Sequence, residues 1–161
     1  MYKVVAMAEM YPVVEEALRV GNRITITVTG TSMLPLLRHQ LDNATLEPVT
    51  GPMHVNDVVL YQRENGQFVL HRIIGMEKNG DCILCGDNQL VCEHHVRRQQ
   101  VVGRLTAFTR IGRKVACTSV WYKAYICVLP ALRLILRGCL IARRYAGTLR
   151  YLIIHLANRN G

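Results

Sequence analysis

Between residues 23 and 110, short runs rich in β-branched and aliphatic residues alternate with turn-forming dipeptides, and this rhythm constrains the fold more than any other feature. Residues 23–29, Arg-Ile-Thr-Ile-Thr-Val-Thr, alternate apolar and polar side chains. A period of two is that of a half-buried strand, whose successive side chains point to opposite faces. Gly30 ends the run, and Pro35 biases Leu34 away from helix and bends the chain. Asp42-Asn43 precedes residues 44–47, and Asn56-Asp57 precedes residues 58–61. Glu64-Asn65-Gly66 leads into residues 68–74, Asn79-Gly80-Asp81 leads into 82–85, and residues 101–108 read as a further strand. Such short, regularly interrupted strands predict a mainly β fold, a small sheet system or partial barrel. One short helix is expected ahead of them over residues 12–20. Pro12 suits its first position and Gly21 its stop, with Val13, Val14, Ala17 and Leu18 on one face.

Charge divides the chain differently. Residues 1–93 carry 7 Lys/Arg and all 11 Asp/Glu, a net −4, whereas residues 94–161 carry 13 Lys/Arg and no carboxylate side chain, a net +13. Such asymmetry predicts that the second part faces something anionic. After Lys114 the turn signals give way to Leu, Ile and spaced Arg, which predicts a basic helical tail over 116–161 behind a core over 1–115. Its helices, over 119–157, are expected to break near Pro130 and Gly147. On a helix, Arg133, Arg137 and Arg144 lie within about 40° of one another.

A membrane span needs about 20 mostly apolar residues. The uncharged run between Lys123 and Arg133 has nine and contains Pro130. A helix lying on an anionic membrane surface fits better. A helical subdomain packed on the sheet, with arginines in water, is the competing reading, and nucleic acid ranks behind both. The N-terminal residues, with Glu15 and Glu16, show neither a secretory signal nor a membrane anchor. The expected location is therefore membrane-associated and peripheral, or cytoplasmic. The six cysteines are expected to be reduced thiols there.

The candidate chemistry lies in three short motifs. Ser32 follows a strand in Gly30-Thr31-Ser32-Met33-Leu34-Pro35, with Met33 expected to pack beneath the turn. A serine hydroxyl needs a base to become a nucleophile. His71, at the end of Phe68-Val69-Leu70, is the candidate base. Gly86-Asp87-Asn88 supplies Asp87, and Glu93 follows six residues on. Either carboxylate could orient the imidazole and stabilise its cation. Arg72 is expected to pair with a carboxylate. His39 and His54 show no evident partner in the sequence.

In order and spacing, these motifs resemble those of signal peptidase I and the LexA-type serine peptidases. The matching segments are the Ser32 box, Asp57-Val58-Val59-Leu60, Leu70-His71-Arg72-Ile73-Ile74, Gly86-Asp87-Asn88 and Val102-Gly103-Arg104, together spanning about residues 21–110. Bacterial leader peptidases and the LexA branch use a lysine base, whereas the archaeal and endoplasmic-reticulum type has histidine, as here. The resemblance implies a β core of that family, Ser32 as acylating nucleophile and His71 as general base. It implies an extended polypeptide substrate with small residues near the cut, as in a signal or leader peptide, and no metal or organic cofactor. Asp87 matches the Gly-Asp-Asn aspartate. Glu93 falls where this branch places a second aspartate, and Cys92 takes the neighbouring acidic position. The Ser32 amide is the natural oxyanion donor. Gly30 stands where many signal peptidases place a further serine donor, and the family's N-terminal anchor is not evident.

Three other readings are open. One is a non-catalytic peptide- or membrane-binding module on a peptidase-like scaffold. Another is a self-cleaving LexA-type regulator, although residues 1–31 hold no Ala-Gly or Cys-Gly bond. The third is a zinc-stabilised nucleic-acid binder using Cys82, Cys85, Cys92, His94 and His95. Against it, an odd separation along a strand puts Cys82 and Cys85 on opposite faces. Cys117, Cys127 and Cys139 are expected to pack in the tail.

Overall fold

A computed structural model describes residues 7–135 and 138, with side chains from residue 12 onward. The chain forms two compact units that divide between Ile126 and Cys127. Helix α1, Met7–Arg19, begins ahead of Pro12, which sits inside it. Proline removes one hydrogen bond of a helix without having to end it. The helix is held where Val14 and Leu18 are buried in the core.

Eight strands follow: β1 Ile24–Thr27, β2 Asn43–Glu47, β3 Val58–Gln62, β4 Phe68–Met76, β5 Cys82–Cys85, β6 Glu93–Val96, β7 Val101–Arg110 and β8 Arg113–Ala116. They form one sheet in the order β1-β2-β7-β3-β4-β5-β6, with β8 also on β7. All pairings are antiparallel. Strand β7 pairs with β2 along one edge. Along the other it pairs first with β3 through Val101–Arg104, then with β8 through Ala107–Arg110. Register shifts interrupt four of the pairings. Each such bulge strengthens the local twist, so the sheet can curl and bury side chains on both faces.

That double burial explains the unbroken apolar text of β3. Val58 and Leu60 belong to one core cluster with Leu46, Leu105 and Phe108. Val59 and Tyr61 belong to another with Ile73 and Leu84. Alternate residues of the strand thus serve different cores.

The fold is mainly β with a short N-terminal helix, as the strand rhythm predicts. The expected strands appear within a few residues of their anticipated limits. β6 and β8 are additional. Their sequences, Glu-His-His-Val and Arg-Lys-Val-Ala, carry little apolar pattern, and pairing with β5 and β7 supplies what local preference does not.

Residues 120–126 are helical and complete the first unit. In the second unit the described residues are helical, and Pro130 lies inside helical residues 127–135 rather than breaking them. The expected break near Gly147, together with Arg137, Cys139 and Arg144, falls outside the described residues. Among the described residues no helix is long and apolar enough to cross a membrane.

Candidate active site

Ser32 lies in the turn after β1, half-buried. The turn is pinned from below: Met33, Leu36 and Leu37 are buried in the core, and the chain bends through a cis Leu34–Pro35 peptide. Gly30 has φ +86°, a left-handed conformation that a side chain strains. Glycine is therefore the residue this backbone asks for at position 30. Its N–H donates to His39 Nδ1 at 2.9 Å, which gives His39 the partner that sequence reading missed.

The Gly86-Asp87-Asn88 turn closes over the serine from the other side. Asn88 N–H donates to the Ser32 carbonyl at 2.8 Å, and its side-chain amide donates to the Thr31 carbonyl at 3.2 Å. A Cβ on Gly86 would stand 2.6 Å from the Ser32 carbonyl oxygen and 3.0 Å from the Ser32 Cβ. Only glycine permits this approach.

The sheet register brings His71 to the same point. Arg72 is the cross-strand partner of Cys85. Continuing that register by one residue sets His71 opposite Gly86. The missing Gly86 side chain is thus the gap across which the Ser32 turn meets the His71 strand. Ser32 and His71 both line one cleft of about 550 Å³, with Ile26, Thr29, Arg63 and Leu70 also on its wall. Among the described residues the Ser32 hydroxyl makes no hydrogen bond to His71.

His71 is 1% exposed, and its contacts define its orientation. Nδ1 lies 3.2 Å from the Tyr61 hydroxyl and 3.4 Å from Glu93 Oε1. An ionised carboxylate only accepts, so the nitrogen facing it carries the proton and Nε2 keeps its lone pair. Glu93 is in turn gripped by Arg63, whose Nε donates to Oε2 at 2.9 Å and whose second nitrogen pairs with Oε1. Burial pushes the Glu93 carboxyl up. Hydrogen bonds from Arg63 and Tyr61, with the charges of Arg63 and His71, more than offset that and hold it below the usual carboxylate range. Burial, then the Glu93 carboxylate, raises the Tyr61 phenol above its ordinary range, so it stays a protonated donor. For His71, burial is the largest influence and pushes the imidazole down, Arg63 adds to it, and Glu93 and Asp87 oppose it. The result is about 4. The imidazole is therefore neutral, and able to accept a proton, at neutral pH.

The two carboxylates that sequence leaves as alternatives are separated by the fold. Glu93 faces His71. Asp87, fully buried, is engaged by Arg72 instead: Nε donates to Oδ1 at 2.8 Å and a terminal nitrogen donates to Oδ2 at 2.7 Å. The pairing expected for Arg72 is present. Consecutive residues of β4 thus send His71 to one face and Arg72 to the other. Tyr61 and Arg63 were not evident as site residues in the sequence. Their two-residue spacing on and just after β3, beside β4, was the available signal.

The cysteine–histidine set does not gather. Cys82 and Cys85 are buried, with Cys82 against the Met76 sulfur at 3.7 Å and Cys85 donating to the Gln89 and Val91 carbonyls. His94 and His95 instead face Glu77. Among the described residues the grouping with metal-ligand spacing is Glu77, Asp81 and His95, which includes no cysteine. Cys127 is exposed rather than packed. No family model matches the chain, and no curated protein matches it at a significant level.

Proposed function

We propose that this chain is a serine endopeptidase of the signal peptidase type, built on a LexA- and signal-peptidase-like β core, with Ser32 as nucleophile and His71 as general base. The observation that carries this reading is the meeting of the Ser32 turn and His71 across Gly86 in one cleft. The Nδ1 nitrogen of His71 is occupied by Tyr61 and Glu93, which leaves Nε2 for the serine proton.

In the reaction, Ser32 Oγ attacks the scissile carbonyl carbon and its proton passes to His71 Nε2. The tetrahedral oxyanion is met by the Ser32 amide, which has no other acceptor among the described residues. Collapse breaks the C–N bond, and His71 returns the proton to the leaving amine. Water then attacks the acyl ester, again giving its proton to His71, and Ser32 is regenerated. Glu93 orients the ring and stabilises its cation, with Arg63 and Tyr61 fixing the carboxylate. Asp87 acts through Arg72 as a positioning residue. Strand β1 is an edge of the sheet, and Ile26, Thr27, Val28 and Thr29 run along the cleft. An extended peptide can add there as a strand, which suits a signal- or leader-like substrate. The surplus of Lys and Arg over residues 94–161 suits work at an anionic membrane surface.

The test is phosphonylation of Ser32 by a fluorophosphonate, which displaces fluoride, followed by cleavage of a library of signal-peptide-like substrates with a membrane mimetic. Wild type should react and cleave. Ser32→Ala should abolish both, and His71→Ala should slow cleavage by roughly 10³-fold or more. Peptides bound equally by all three proteins with no cleavage by any would favour the non-catalytic module. Equal sedimentation with neutral and anionic vesicles at low salt would remove the membrane part of the reading.

A further inference from the structure

The Arg72–Asp87 pair is sealed by two tyrosines from the helical residues that follow β8. Tyr122 and Tyr125 are three residues apart, so both project from one side of the helix. The Tyr122 hydroxyl accepts from Arg72 Nη1 at 2.9 Å, and the Tyr125 hydroxyl donates to Asp87 Oδ2 at 2.8 Å. Their rings lie 5.6 Å and 5.8 Å from the guanidinium carbon, within the range of cation–π attraction. The Asn56 carbonyl takes another Arg72 proton at 2.8 Å. Aromatic neighbours hold the tyrosines in turn. Tyr122 packs on Phe108, and Trp121 stacks on Tyr125 with a ring angle of 6°.

The residues on either side of this ion pair are those of the candidate site. Arg72 is next in sequence to His71. Asp87 stands between Gly86, which meets the Ser32 turn, and Asn88, which binds the Ser32 carbonyl. A shift of Asp87 must therefore displace the turn that holds Ser32.

We propose that Tyr122 and Tyr125 are positioning residues, a clasp through which the helix after β8 locks the Gly86-Asp87-Asn88 turn, and with it Ser32, against the His71 strand. The inference rests on the reading of Ser32 and His71 as the reactive pair. It adds that the site is complete only while residues 120–126 are docked. The segment poor in acid and rich in Arg, whose sequence alone suggested a tail, thus begins by supplying part of the site's frame.

The test uses the full chain with Tyr122→Phe, Tyr125→Phe, the double variant and Tyr125→Leu. Phenylalanine keeps the ring and removes the hydroxyl, whereas leucine removes both. Two readouts are taken: hydrogen exchange at the Asn88 amide against a reference amide at Leu46 in β2, and the rate of phosphonylation of Ser32 by a fluorophosphonate. The double variant should exchange Asn88 about tenfold faster with Leu46 unchanged, the local opening expected when hydrogen bonds to a buried charge are lost. Phosphonylation should slow by a similar factor, and Tyr125→Leu should go further than Tyr125→Phe. Unchanged Asn88 exchange would overturn the clasp. So would equal loss of protection at Asn88 and Leu46, which marks general destabilisation. Failure of wild type to be phosphonylated, with Asn88 still freed in the variants, would overturn the catalytic reading and leave the clasp standing.

Discussion

Strand β4 sends two neighbouring side chains into opposite environments. On one face, His71 meets Tyr61, Glu93 and Arg63 beside an open cleft. On the other, Arg72 meets Asp87, Tyr122 and Tyr125 with almost no solvent. Both faces hold one arginine, one carboxylate and at least one tyrosine. The difference lies in which group each carboxylate serves and whether water can reach it. Glu93 is half-buried and divided between Arg63 and His71, so its charge is available to an imidazolium. Asp87 is fully buried and its two oxygens are both engaged by Arg72, so it acts as framework. Similar residues thus leave a carboxylate beside a reachable imidazole on one side and build scaffold on the other.

The comparison can be broken first on the sealed face. Arg72→Met leaves the Asp87 carboxylate buried without its counter-charge and should cost about 3–5 kcal/mol of stability in chemical unfolding. Arg72→Met with Asp87→Leu should recover much of that loss, because an apolar pair of similar volume leaves no buried charge. At the seam between the faces, Gly86→Ala should reduce acylation of Ser32 by roughly 10²-fold through displacement of the turn. Circular dichroism should show the sheet intact.

On the open face, Glu93→Gln should lower the rate by about 10–10² as the base loses its orienting charge. Stability, read by urea unfolding, should change by less than about 1 kcal/mol, as for a partly exposed pair. The smallest effect concerns pH. With His71 depressed to about 4, the acid limb of kcat/KM should fall near pH 4, not near 6.5. Removing Arg63, which pushes His71 down, should move that limb upward in Arg63→Gln. The sign for stability follows from the same shift. Folding favours the neutral ring, so the contribution of His71 is full above its unfolded value of 6.5 and is lost as pH falls through about 4. Acid unfolding monitored from pH 7 to 4 should show stability falling across that window, less steeply in His71→Gln.

The main features of the fold are legible in the chain. Strand 24–27 follows from period-two patterning, and strands 43–47, 58–62, 68–76, 82–85 and 101–110 follow from short apolar runs set off by turn residues or, for the last, from the run itself, because those signals are local. β6 escaped because Glu93, His94 and His95 carry no apolar alternation, and its pairing depends on β5. The extension of α1 ahead of Pro12, and helical structure through Pro130, show that one proline weakens a helix but does not dictate its ends. Within the candidate site, Ser32, His71 and Gly86-Asp87-Asn88 were visible as motifs. Tyr61, Arg63, Tyr122 and Tyr125 were not, since no pattern near each in sequence says which strand or helix will lie beside it.

By itself, then, the sequence determined the β rhythm, the end of the first strand at Gly30, and the division of charge between residues 1–93 and 94–161. These depend on local backbone preference and on composition. Tertiary structure decided that Glu93 and not Asp87 faces His71. It also decided that the Ser32 turn packs on Gly86 and shares a cleft with His71, and that tyrosines from beyond β8 seal the Arg72–Asp87 pair. Each of those outcomes depends on which strands pair and in what register. Register is set by the burial of whole faces, which no single motif encodes.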